Sequence, residues 1–171
     1  MYGTLQTLQD GRSQLRFTRA LAHPPEKVWA AITEPEHLAQ WFPTTIDGER
    51  VTGAPLRFTF PGGQFPPFEG EMLAYEPPSM MEFRWGSDVV RLELHPIEDG
   101  TVLTLLDTLE ERGKAARDGA GWHTCLDALE RELSDAADAR EKMHRWKDVH
   151  VHYVQSFGPE AATIGPPEGI E

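Results

Sequence analysis

Residues 21–43, LAHPPEKVWAAITEPEHLAQWFP, hold a strand end, two short amphipathic helices and three proline breaks. Proline lacks a backbone donor, fixes φ and pushes the preceding residue out of the helical region, so it starts or ends helices rather than continuing them. The run before His23-Pro24-Pro25 therefore stops there, and a helix begins in which Val28, Trp29 and Ile32 share a face. Glu34-Pro35 restarts a second helix carrying Leu38, Trp41 and Phe42, which Pro43 closes. A strand followed at once by two small helices points to a helix pair wedged against a curved antiparallel sheet.

The flanks agree. Upstream, SQLRFTRALA (13–22) alternates Leu15, Phe17, Arg19 and Leu21 against Gln14, Arg16, Thr18 and Ala20, half-buried strand patterning with Arg19 as its one imperfect position. Downstream, four runs alternate in the same way: Leu56/Phe58/Phe60, Met81/Phe83/Trp85, Val90/Leu92/Leu94 and Leu103/Leu105/Asp107/Leu109. Turn signals separate them at Pro61-Gly62-Gly63, Pro77-Pro78, Gly86-Ser87-Asp88 and Glu98-Asp99-Gly100. Consecutive short runs at hairpin spacing predict an antiparallel meander. Arg112–Gly121, with three glycines, reads as a loop. From Gly121 a long helix is predicted, with Trp122, Cys125, Leu126, Leu129 and Leu133 at helical spacing. Met143, Trp146, His150, Tyr153 and Phe157 mark a weaker helical stripe within 138–157, and the Pro/Gly-rich acidic end reads as an extended or disordered tail. The expected organisation is one domain over 1–136, a helical extension over 137–157 and a tail over 158–171.

Composition narrows the function classes. The chain has 171 residues and is 39% hydrophobic, enough for a core, and its net charge of -12 disfavours nucleic acid and anionic membrane surfaces. No apolar run approaches the roughly 18 residues of a membrane span, and the N-terminal residues lack the pattern of a signal peptide. The single cysteine, Cys125, excludes an intrachain disulfide and fits a reducing cytoplasm. No metal-ligand set is legible among the seven histidines, because His150 and His152 do not share a face and no second ligand pair stands at usable spacing. No phosphate loop and no nucleophile elbow is present, and no cofactor is expected.

Four stretches carry a family resemblance. HPPEKVWAAITEPEHLAQWF (23–42), GEMLAYEPPSMMEFRW (70–85), DGTVLTLLDTLEE (99–111) and GWHTCLDALERELS (121–134) together resemble the helix-grip fold of the START-like superfamily. Within it they are similar to the family of homologues of the activator of heat-shock-protein ATPase. The resemblance implies an α+β helix-grip fold of about six or seven strands wrapped on a long helix. It also implies a cavity between sheet and helix. Asp107 departs from the histidine or other polar residue frequent at that place in the family.

Patterning and resemblance together give a candidate ligand site. Met72, Met81, Phe83, Trp85, Leu92, Leu103, Leu105, Trp122, Leu126 and Leu129 would line it, Asp107 would orient the ligand's polar end, and His123 would reach its mouth. The expected partner is a small apolar or aromatic molecule. The resemblance also allows a cavity enzyme of cyclase, dehydratase or hydrolase type, with Asp107 and His123 as acid and base. A third reading is a partner-binding module, either a chaperone regulator or a homodimer formed through the C-terminal extension, whose apolar stripe must be covered by something.

Overall fold

A computed structural model describes residues 1–134 and 144–167. Eight antiparallel strands form one curved, unclosed sheet in the order β1-β2-β8-β7-β6-β5-β4-β3. They are β1 (Thr4–Thr7), β2 (Ser13–Leu21), β3 (Thr45–Asp47), β4 (Pro55–Thr59), β5 (Phe68–Glu76), β6 (Met80–Trp85), β7 (Asp88–Ile97) and β8 (Gly100–Leu109). The helices are α1 (Pro25–Thr33), α2 (Pro35–Trp41), α3 (Ala115–Leu133) and α4 (Trp146–Phe157). The helix-grip architecture is as the sequence implies. The strand count is higher because β1 and β3, of four and three residues, are too short and too polar to show alternation.

The proline breaks act where the sequence places them. Pro25 and Pro35 occupy the first positions of α1 and α2, where the missing N–H satisfies nothing anyway. Glu34, extended at φ -80° and ψ 133°, ends one helix and begins the next. The Trp41 indole N–H donates to the Ala31 carbonyl at 2.8 Å and fastens the pair together.

The core fills the space between the concave sheet face and the helices. Leu15, Phe17, Phe58, Met72, Met81, Phe83, Leu92, Leu103 and Leu105 are closed off from solvent against Leu126 and Leu129 of α3. On the convex face Arg91 reaches Glu82 across the β6–β7 pair and Glu93 on its own strand. Arg19, the odd residue of β2, faces inward and is buried. Its guanidinium meets Glu130 at 2.9 Å and Asp127 at 3.5 Å on α3, so an ion pair replaces an apolar contact there.

Three expectations are corrected. Arg112–Gly121 is not a loop: Arg112–Lys114 is a 3-10 turn and α3 starts at Ala115. Glycine within a helix costs about 1 kcal/mol relative to alanine, and Gly119 lies where α4 comes close. A methyl group there would meet Phe157 at 3.4 Å and Tyr153 at 3.5 Å, ordinary van der Waals contact that an alanine could make. The extension helix runs over Trp146–Phe157, and Met143 lies outside the described residues. Its stripe is covered within the chain, since α4 packs on α3 with Val149 and Tyr153 fully buried. That covering removes the motive for a homodimer through this helix. The tail, as far as Pro167, is not extended throughout. Pro159–Ala161 form a 3-10 turn, Ala161 is buried, and the Ile164 N–H donates to the Gly113 carbonyl at 3.1 Å. A Cβ at 113 would stand 2.0 Å from the Thr163 hydroxyl, so a larger residue there makes that side chain turn away.

Candidate functional site

An opening walled mainly by aromatic side chains lies at one end of the grip rather than in its middle. The β6–β7 turn, Gly86-Ser87, forms one lip, and the first three turns of α3 form the other. Trp85 and Trp122 meet at its base with ring centroids 5.7 Å apart, and Phe42 packs against both. Phe60, Phe68, Trp146 and Pro167 complete the walls around a cleft of about 410 Å³. That volume suits a small organic ligand.

The polar side of the cleft comes from strand starts and helix starts. Asp88 opens β7, and Lys114, Arg117 and Asp118 stand at the start of α3. The Lys114 ammonium sits on both Asp88 oxygens at 2.7 and 2.8 Å, and the Glu110 N–H donates to Asp88 Oδ1 at 2.9 Å. Arg117 Nε donates to Asp118 at 2.7 Å. Burial nevertheless holds the Asp118 carboxyl above its ordinary value, against the opposing pull of Arg117.

Asp107 stands behind this wall. It is buried, and its Oδ2 accepts the Trp122 indole N–H at 2.8 Å. Oδ1 has no hydrogen-bond partner among the described residues. Oxygens of Asp88, Asp107 and Asp118 lie within 4.8 Å of one another. Desolvation, and then the neighbouring Asp88 charge, raise the Asp107 carboxyl well above the usual carboxylate range, with the Trp122 hydrogen bond pulling the other way. Asp107 thus orients Trp122, and Trp122 faces the cleft.

Of the residues expected to hold a ligand, the structure brings Trp85 and Trp122 to the cleft. Met72, Met81, Phe83, Leu92, Leu103, Leu105, Leu126 and Leu129 pack in the closed core, where they meet one another. His123 faces another side of α3. Its Nδ1 is 2.9 Å from the Tyr153 hydroxyl, which also accepts the Gly3 N–H at 2.8 Å. Burial lowers the His123 imidazole to about 4 and raises the Tyr153 phenol to about 12. Both are neutral at physiological pH. Tyr153→Phe leaves the Gly3 N–H and His123 without this partner, and urea unfolding should register a loss of about 1–2 kcal/mol. An unchanged midpoint would remove the hydroxyl from the account of how α4 is anchored.

Sequence reasoning missed Asp88, Lys114, Arg117 and Asp118. The signal was present as a turn aspartate and a charged segment, but that segment read as loop. Cys125 borders the cleft as a neutral thiol, its pKa pushed up to about 12 by burial, which is not the state of an activated nucleophile.

An open antiparallel sheet gripping a long helix, with two short helices after the second strand, defines a START-like protein. Residues 22–134 match the family described as activator of Hsp90 ATPase homolog 1-like protein, and the chain belongs to that family. The sequence matches no curated protein. Among solved structures it is similar to a conserved protein of unknown function from Enterococcus faecalis, with 22% identity, a TM-score of 0.75, and 91% of this chain and 90% of that one covered. CalU16 from Micromonospora echinospora has 22% identity and a TM-score of 0.67, with 90% and 94% covered. DynU16, from the dynemicin biosynthetic locus, has 30% identity and a TM-score of 0.63 over 70% of this chain and 46% of that one. No helix among the described residues is long and apolar enough to cross a membrane.

Proposed function

We propose that the protein binds a small aromatic molecule in the cleft between the β6–β7 turn and the start of α3. The observation that carries this reading is the pairing of Trp85 and Trp122 at the base of a 410 Å³ opening that also carries Asp88, Lys114, Arg117 and Asp118. Aromatic walls take a flat apolar body, and Asp118 and Lys114 take a polar edge. DynU16 belongs to a locus for dynemicin biosynthesis, which fits a fold that handles small molecules. The acid–base pair of an enzyme reading finds less support. The hydrogen-bond partners of Asp107 and His123 are separate sets, Trp122 for one and Tyr153 with His144 for the other.

Gly121 offers the test. It lies on α3, lines the cleft, and has open space where a Cβ would stand. Gly121→Leu fills the cleft with a better helix former and leaves the core untouched. Titration of the neutral naphthalene dye prodan should give saturable fluorescence with the native chain. The variant should bind at least about tenfold more weakly while unfolding no earlier, since a dye of this size depends on most of such a pocket. Equal binding by both proteins would place the dye elsewhere and end this assignment of the cleft.

A further inference from the structure

Two side chains on the face of α3 turned away from the cleft and a third that precedes α4 converge without a use in the reading above. His123 and Asp127 are one helical turn apart, and His144 precedes α4. His123 Nε2 lies 3.3 Å from His144 Nδ1, His144 Nδ1 lies 3.0 Å from Asp127 Oδ2, and Asp127 Oδ2 lies 3.7 Å from His123 Nε2. A tetrahedral ion with bonds of about 2.0–2.1 Å requires ligand–ligand edges of about 3.3–3.4 Å. The triangle has that size. We propose that His123, Asp127 and His144 form a binding site for a zinc-type divalent metal ion, with Tyr153 as the positioning residue for His123.

The protonation pattern supports the assignment. His144 Nδ1 carries the proton it gives to the Asp127 carboxylate, so His123 Nε2 presents a lone pair to both groups. The remaining His123 proton is then on Nδ1 and goes to the Tyr153 oxygen, whose other lone pair takes the Gly3 N–H. A metal-bound histidine characteristically gives its second N–H to such a partner, which fixes the ring. His123 is fully buried, which holds its Nε2 in place facing Asp127 and His144. The His144 Nδ1 proton now lies between His123 Nε2 and Asp127 Oδ2, and the same carboxylate oxygen accepts the His144 backbone N–H at 3.3 Å. A divalent ion would take the place of the Nδ1 proton, which moves through solvent to the exposed His144 Nε2, and would form three donor bonds. Arg19 approaches the other Asp127 oxygen, Oδ1, at 3.5 Å, and Glu130 balances its charge. His144 is 44% exposed, which gives the ion an entrance and leaves room for water as a fourth ligand.

Tag-free full-length protein, stripped with a chelator, should take up one equivalent of zinc in competition with a chromogenic chelator. Cobalt(II) in its place should give the intense visible bands of a tetrahedral ion. His144→Ala removes an exposed side chain and should weaken zinc binding at least about a hundredfold with the far-UV circular dichroism unchanged. Tyr153→Phe should weaken it about tenfold and leave the stoichiometry at one, as loss of an outer-shell partner does. His95→Ala, a change at an exposed histidine on the sheet, should have no effect. Zinc binding equal in the native and His144→Ala proteins, or a cobalt spectrum of the weak octahedral type, would overturn the site.

Discussion

Phe83→Ala should lower the free energy of unfolding by about 3–5 kcal/mol, the range for truncating a buried aromatic side chain. Phe83 has no exposed surface, and its ring meets Phe42, Phe58 and Trp85 at centroid distances of 6.2, 5.7 and 6.5 Å. Its neighbours come from α2, β4 and its own strand, each held by further contacts, so they cannot collapse into the space together. The loss therefore has two parts: the transfer of the ring and the void it leaves. The size of the effect separates two views of the grip. If the middle of the grip were an open ligand chamber lined by Phe83, truncation would enlarge an existing void and cost far less. Urea unfolding followed by far-UV circular dichroism measures the difference. A loss under about 1.5 kcal/mol, the level of a volume-conserving swap, would mean that the interior is not packed as described.

The same contrast shows what was readable in the sequence. Alternation in β2, β4, β6, β7 and β8 gave inward-facing residues correctly, because period two assigns faces without knowledge of partners. Prolines at 25 and 35 gave both short helices, because their effect is local. Whether inward-facing residues meet each other or a ligand is not local. It depends on how closely α3 approaches the sheet, which small residues such as Ala116, Gly119 and Ala120 set across long sequence separations. The same limit hid the polar side of the cleft. Asp88 and Lys114 are 26 residues apart, and only the return of β8 to the start of α3 brings them together. His144 joins His123 and Asp127 across a similar separation, so a search for close-spaced ligand pairs passes it by. Arg19 was legible as an exception to alternation, and its partners on α3 were not.

Asp107→Asn should stabilise the protein at neutral and alkaline pH and flatten the dependence of stability on pH. In the unfolded chain the Asp107 carboxyl titrates near its ordinary value, about 3.9. In the folded chain burial and the Asp88 charge raise it well above that. Below the unfolded value both states are protonated, and the residue contributes no pH dependence. Between the two values the folded state keeps a proton that the unfolded state has lost, so unfolding becomes steadily more favourable as pH rises. Above the folded value the destabilisation is complete and level. Native protein should therefore lose stability from about pH 4 upward through this group. Asparagine removes the titration while keeping the contacts. Its Oδ1 can accept the Trp122 indole N–H, and its amide can donate toward Asp88 or Asp118, whose oxygens lie within 4.8 Å of the present carboxylate. The gain at pH 8 should be about 2 kcal/mol, on the scale of relieving a buried group that lacks a partner. Below about pH 3.5 the two proteins should nearly coincide. Urea midpoints at several pH values, taken as the difference between variant and native chain, cancel the other carboxylates and His123. Parallel curves would show that the Asp107 carboxyl titrates alike in the folded and unfolded chain and is ionised in the folded protein at neutral pH. Its Oδ1 would then need a counter-ion, and the orientation of Trp122 at the base of the cleft would rest on a charged rather than a neutral acceptor.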